Sequence, residues 1–194
     1  MSKIITISRE YGSGGKYIGE LVAKKLGIPF YDKEIIEGIA EKTGFADDFI
    51  ARVSEYAPSK SIFAYSFVGR YPSGESIEDI IYNAQRKIIL DIAEKGDCVI
   101  VGRSADYILK DKDTIDVFIY GDMPEKIERV CKFHGISEKD AEKILLDTDK
   151  KRSVNYKYHT GETWGDAKNY TLLLNSTKIG VENCAEIIAN TYKL

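Results

Sequence analysis

A basic excess is the first thing missing. The 194 residues carry 28 Lys and Arg against 31 Asp and Glu, a net charge of -3. A protein that coats nucleic acid needs a surplus of positive charge, so a nucleic-acid partner is not expected. A local cationic pocket for one small phosphorylated ligand remains compatible with this balance. Cysteine is also scarce. Cys98, Cys131 and Cys184 lie far apart with no CxxC pair or Cys/His cluster, which argues against a zinc site. An odd number of scattered thiols suits a reducing, cytoplasmic setting. The two histidines, His134 and His159, sit in no ligand pattern, and no Ser-His-Asp or Cys-His arrangement supports hydrolase chemistry. No run approaches the roughly 18 apolar residues of a membrane span, and residues 1–7 are not a signal core. Internal repeats and low-complexity tracts are absent. What is there is 43% hydrophobic and 30% charged residues, enough to bury a core, in a length that suits one domain over residues 1–194.

Short apolar runs alternate with amphipathic stretches. Ile4–Ser8 is β-branched and continuous, as a buried parallel strand is. Ile18, Leu21, Val22 and Leu26 recur at helical spacing and Gly27 closes that helix. Residues 28–32 read as a second strand, followed by helices over 33–42, ended by Gly44, and over 47–55. The stripe Ile77, Ile80, Ile81, Ala84, Ile88 and Ile92 predicts a long helix over 75–94. Strands follow at 98–102 and 115–120. Asp122 with Pro124 opens a helix, and Ser137 with Asp140 is a capping box for the next. Residues 170–174 read as a fifth strand, and Val181, Cys184, Ala185, Ile188 and Tyr192 mark a last helix. The expected fold is α/β, a three-layer sandwich around a five-stranded parallel sheet, with ligands at the C-terminal strand ends. Two stretches lack periodicity. Residues 56–74 set aromatic side chains among Ser, Pro and Gly, and residues 147–168 are rich in Lys, Arg, Tyr, Gly and Asn.

Chemistry concentrates after the first strand, in Arg9-Glu10-Tyr11-Gly12-Ser13-Gly14-Gly15-Lys16. Phosphate oxygens need several backbone N–H groups converging on them, and side chains would block that approach. The following helix adds its N-terminal dipole, and Lys16 can neutralise a phosphate oxygen. A plain turn would not require three glycines in four residues. Gly12, Ser13, Gly14, Gly15, Lys16 and Tyr17 are therefore the candidate phosphate cradle. The match to G-x-x-x-x-G-K-[ST] is imperfect, with Glu10 at the first glycine and Tyr17 at the Ser/Thr position. Tyr17 is a poor magnesium ligand, which leaves Ser13 as the candidate. A dinucleotide site is disfavoured because Tyr17 replaces the third glycine of G-x-G-x-x-G.

That segment, followed by Leu26-Gly27-Ile28-Pro29-Phe30-Tyr31-Asp32, resembles the cytidylate kinase-like family of P-loop kinases. Val99-Ile100-Val101-Gly102-Arg103 is similar to the third-strand Gly-Arg of nucleoside monophosphate kinases. Pro124–Arg129 is similar to their helix after the fourth strand, and Leu172–Thr177 to their final strand. The resemblance spans essentially the whole chain. It implies a P-loop core with a helical acceptor-binding segment that includes 56–74 and a lid at 147–160. It further implies ATP as donor, Mg2+, and a small nucleotide such as CMP or dCMP as acceptor, with no membrane partner and no assigned oligomeric state.

On this resemblance Arg103 grips the acceptor phosphate, as a planar guanidinium at a strand end can hold two oxygens at once. A salt bridge to nearby Asp106 is the plainer alternative. Arg70 is a second acceptor-phosphate candidate or a solvated loop charge. Lys150, Lys151 and Arg152 supply lid cations or cap a helix end, with Arg152 the inward one; Lys16, Arg103 and Arg152 are then the catalytic set. Asp32 faces the acceptor or caps the helix from Lys33. Asp149 serves magnesium or is a surface acid. His159 is expected at the surface, and Trp164 as a packing anchor. The pattern departs at Ser104, where cytidylate kinases usually carry an acid that helps read the base. Two other readings stay open: a non-catalytic nucleotide- or phosphate-binding module, and a kinase of a non-nucleotide metabolite.

Overall fold

A computed structural model describes residues 3–55 and 76–194. Five strands form one all-parallel sheet in the order β2-β3-β1-β4-β5. They are β1 (Ile4–Arg9), β2 (Phe30–Tyr31), β3 (Cys98–Val101), β4 (Thr114–Tyr120) and β5 (Leu172–Asn175). The expected five-stranded parallel α/β sandwich is what forms. The second strand is shorter than its apolar run, and the fifth starts later because Ala167–Asn169 makes a 3-10 turn.

The strands are apolar on both faces because helices cover both. Ile4 and Ile100 meet α2 (Lys33–Thr43), α3 (Asp47–Glu55) and α4 (Ile77–Ala93) in a cluster that includes Ile35, Ile39, Ile50, Ile81 and Ile89. Ile5, Ile7, Val99, Val101, Val117 and Ile119 face the other way. There they bury Ile18 and Val22 of α1 (Gly15–Leu26) and Cys184 and Ile188 of the closing helix. A one-residue slip of any strand would exchange the two faces, so the alternation holds the register. Gly27 and Gly44 end α1 and α2 in the left-handed conformation, donating N–H to Ala23 and Ala40. Ser76 caps α4 by accepting from the Asp79 N–H.

After β3 comes the short α5 (Ala105–Ile108), then β4, α6 (Met123–His134) and α7 (Glu138–Thr160). Ser137 caps α7 by accepting from Asp140 N–H, as its capping box predicts. α7 runs 23 residues without a break, so residues 147–160 are its second half and not an irregular segment. Its inner face turns polar after Leu145, with Asn155 and Tyr156 buried, which removes the apolar period that would have marked it. The short α8 (Ser176–Ile179) and α9 (Val181–Tyr192) complete the chain. Residues 56–74, and Arg70 with them, lie outside the described residues.

Candidate active site

The glycine segment leaves the C-terminal end of the central strand β1 and enters α1. Gly12 and Gly14 have φ of +72° and +80°, a region that side chains strain to adopt. A Cβ on Gly15 would collide with the Arg9 side chain. The first N–H groups of α1 have no acceptor within the helix, that of Gly15 lying 3.4 Å from Ser13 Oγ, and the positive end of the helix dipole stands at the loop. Lys16 Nζ lies 2.6 Å from Asp32 Oδ2. Asp32 occupies the N-cap position of α2, but its side chain caps nothing there; its carboxylate belongs to Lys16. Tyr17 is exposed.

Ser13 has a different job from the one expected. It is fully buried, its hydroxyl donates to Glu10 C=O at 2.8 Å, and its own C=O accepts from Ser176 Oγ at 2.6 Å. A hydroxyl committed inside the loop does not face a bound ion, so the magnesium assignment to Ser13 is corrected.

Each of the four residues that open the loop is tied to α6 or α7. Arg9 C=O accepts from Arg152 Nη1 at 3.3 Å, and Gly12 C=O accepts from Arg129 Nη1 at 3.0 Å. The Glu10 carboxylate accepts from Lys126 Nζ at 2.8 Å and Gly121 N–H at 3.2 Å. Tyr11 donates its N–H to Asp149 at 2.7 Å. The Lys126 side chain is only 4% exposed and also lies 3.7 Å from Asp149. Asp149 is thus no surface acid: burial raises its pKa, while Tyr11 N–H, Lys126 and Arg152 act the other way. Arg152 turns inward on α7, 3.9 Å from Asp149, whereas Lys150 is exposed and Lys151 pairs with Asp147 on the outer side. Lys126, Arg129 and Asp149's loop contact were not legible, because each partner is over a hundred residues away in the chain.

A second cavity opens beside the loop, between the ends of β1 and β3 and the inner face of α7. Ser8, Arg9, Arg103, Ser104, Arg152 and Asn155 line it, with Tyr156 and Trp164. Gly102, Arg103 and Ser104 are three successive left-handed residues, with φ of +72°, +62° and +51°. For the two non-glycines this costs about 1–3 kcal/mol each, and such strain gathers at functional sites. Buried Gln85 of α4 holds the turn by donating its amide N–H to Arg103 C=O at 2.9 Å. Trp164 packs edge-on against Phe118 while bordering this cavity. His159 is not a plain surface residue, since its ring stacks flat on Tyr82 with centroids 3.9 Å apart.

Asp106, the suggested partner of Arg103, is instead buried and accepts from Tyr156 Oη at 2.8 Å. Burial, opposed by that bond, raises its pKa from 3.8 to about 6. The folded chain therefore keeps this proton between about pH 4 and 6, where the unfolded chain has released it. The stabilising contribution is full below pH 4 and fades as pH rises through 6. Asp106→Asn should flatten this part of the stability profile and raise the melting temperature at pH 7. Melting curves of both proteins from pH 4 to 7 check this, and parallel profiles would contradict it.

A model of the cytidylate kinase-like family matches residues 4–178. The chain belongs to the cytidylate kinase-like family. Two relatives named cytidylate kinase agree. That of Methanopyrus kandleri is 24% identical over 92% of this chain and 86% of its own length. That of Pyrococcus horikoshii is 23% identical over 95% and 85%. Among solved structures, an uncharacterised protein from Eubacterium ventriosum superposes with a TM-score of 0.75 at 28% identity, covering 98% of both chains. The shikimate kinase of Bacteroides thetaiotaomicron has a TM-score of 0.56 at 15% identity over the full length of both, which speaks to the fold alone. Membership of this family makes the chain a kinase-type phosphotransferase. No helix among the described residues is long and apolar enough to cross a membrane.

Proposed function

We propose that this family member transfers a phosphoryl group from ATP to a small acceptor, a nucleoside monophosphate such as CMP or dCMP. The observation that carries the reading is the pairing of two adjacent cavities. One is walled by Gly12, Gly14, Gly15 and Lys16 together with Arg129 and Val130 of α6, the other by Arg103 and Ser104 after β3, and Arg9 at the end of β1 and Arg152 border both. The first fits donor phosphates, with backbone N–H groups and Lys16 as partners. The second presents guanidinium groups to an acceptor phosphate. Asp32, paired with Lys16, would be the carboxylate to hold water of a Mg2+ carried by the donor phosphates, an ion that keeps several of its waters. Bound there, Mg2+ would neutralise phosphate charge. Residues 147–160 on α7 would act as the lid through Arg152.

The deciding assay is ADP release, coupled to a reporter, against a panel of nucleoside monophosphates and small hydroxy-metabolites. CMP or dCMP as best acceptor supports the reading. Ser104 supplies a hydroxyl where an acid would strengthen base selection, so a hydroxy-metabolite as best acceptor would move the protein to a metabolite kinase. ATP-analogue binding with no ADP release would make it a binding module.

Arg103→Lys separates the two cavities. It keeps the charge but loses the two-pronged grip, so acceptor KM should rise and kcat fall as the acceptor misses its alignment. Donor affinity, measured by calorimetry with an ATP analogue, should barely change. Collapse of donor binding at constant acceptor KM would place Arg103 in the wrong half of the site.

A further inference from the structure

We infer that Arg9, the last residue of β1, is a further catalytic residue that contacts the phosphoryl group in transit between the two cavities. The inference rests on the phosphotransferase reading and extends it to a residue outside the glycine-lysine motif. Ile5, Ile7 and Arg9 share one strand face. The two isoleucines are buried against α1 and its neighbours, and the same alternation carries Arg9 beneath the first residue of α1. There the stem of its side chain takes the space a Cβ on Gly15 would need. Its guanidinium reaches the end of β3 and takes the space a Cβ on Gly102 would need. One glycine belongs to the donor loop and the other to the acceptor turn. The Arg9 side chain therefore runs from one cavity to the other in a groove that both glycines leave open.

Only Arg9 and Arg152 line both cavities among the described residues. The two are linked, since Arg152 donates to Arg9 C=O. In the transfer an acceptor oxygen bonds to the γ phosphorus while the bond from that phosphorus to the β–γ bridging oxygen breaks, leaving ADP. An anionic acceptor oxygen brings no proton to remove. The equatorial oxygens of the migrating group carry the charge, and fixed donors aimed at them are worth most in the transition state. A guanidinium lying along the line between the cavities supplies such donors.

The test uses Arg9→Met and Arg9→Lys, both checked for folding by melting temperature, with two readouts. In turnover, Arg9→Met should lose about 10²-fold in kcat with donor KM changed less than threefold. In binding, calorimetry compares ADP alone with ADP plus aluminium fluoride, a mimic of the migrating phosphoryl that does not depend on acceptor identity. The fluoride-dependent gain in affinity should be lost in Arg9→Met and partly kept in Arg9→Lys, with ADP alone binding as in the wild type. If Arg9→Met fails to fold, Arg9→Lys carries the comparison. An unchanged fluoride-dependent gain, or an equal loss with ADP alone, overturns the proposal. Selective loss of the gain in a protein whose wild type turns over no acceptor would keep Arg9 at the transfer position and overturn the kinase reading instead.

Discussion

Lys16→Ala lowers kcat by about 10²-fold or more and leaves the folded protein almost as stable as the wild type. The two halves of this expectation come from the same ion pair. Lys16 is held by Asp32 at 2.6 Å, with the lysine side chain 46% exposed. The lysine end is open to water while the Asp32 side chain is 13% exposed, so loss of the pair costs about 1 kcal/mol and lowers the melting temperature by only a few degrees. The same ammonium stands at the mouth of the glycine loop, where donor phosphate charge has to be met. Charge that matters most as the phosphoryl group separates appears in kcat, whereas uniform binding of the donor appears in KM. Steady-state kinetics with ATP varied at saturating acceptor, beside a thermal melt, measures both. An unchanged kcat would remove Lys16 from the catalytic set.

Lys126→Met has the opposite profile and should be strongly destabilising. Its ammonium is almost wholly buried between Glu10 and Asp149. Removing one partner from such a cluster strands the others and costs about 3 kcal/mol. For a chain of this length that is roughly a 10 °C fall in melting temperature. Adding Glu10→Gln to Lys126→Met removes one of the two stranded charges and should recover part of the loss, the non-additivity expected of groups in contact. A fall of under about 2 °C in the single variant would mean that water reaches the site and the carboxylates stay hydrated.

The helix ends and strands were legible because their causes are local. Gly27 and Gly44 close helices through backbone conformations that little else accepts, and Ser137 and Asp140 cap α7 within one turn. The glycine loop was legible for the same reason: Gly12 and Gly14 answer a demand made at their own positions. The second half of α7 was not, because a helix whose inner face borders a polar cavity carries Asp149, Arg152, Asn155 and Tyr156 where an apolar stripe would announce it. The anchoring of the loop was hidden for another reason. Glu10 looks like a defect in a phosphate-loop motif until Lys126 is seen 116 positions away with its charge to satisfy. Arg9 likewise reads as an ordinary strand-end charge until Gly15 and Gly102 are found on either side of it.

The place of β1 in the sheet bears on how this chain emerges from a ribosome. Its Ile4 pairs with Cys98 on one side and Thr114 on the other. This strand therefore has no partner in the sheet until Cys98–Val101 has been synthesised, over ninety residues later. Contacts of such long separation are slow to form, and an unpaired run such as Ile4-Ile5-Thr6-Ile7 is a segment that other nascent chains can join. The sheet closes around β1 only once β3 and β4 arrive, and the glycine loop takes its shape in that same late event, because Glu10 N–H bonds to Ile119 C=O at the far end of β4. Nascent chains stalled before β4 should accordingly be held by chaperones, and those released after α9, which covers the second face of the sheet, should not.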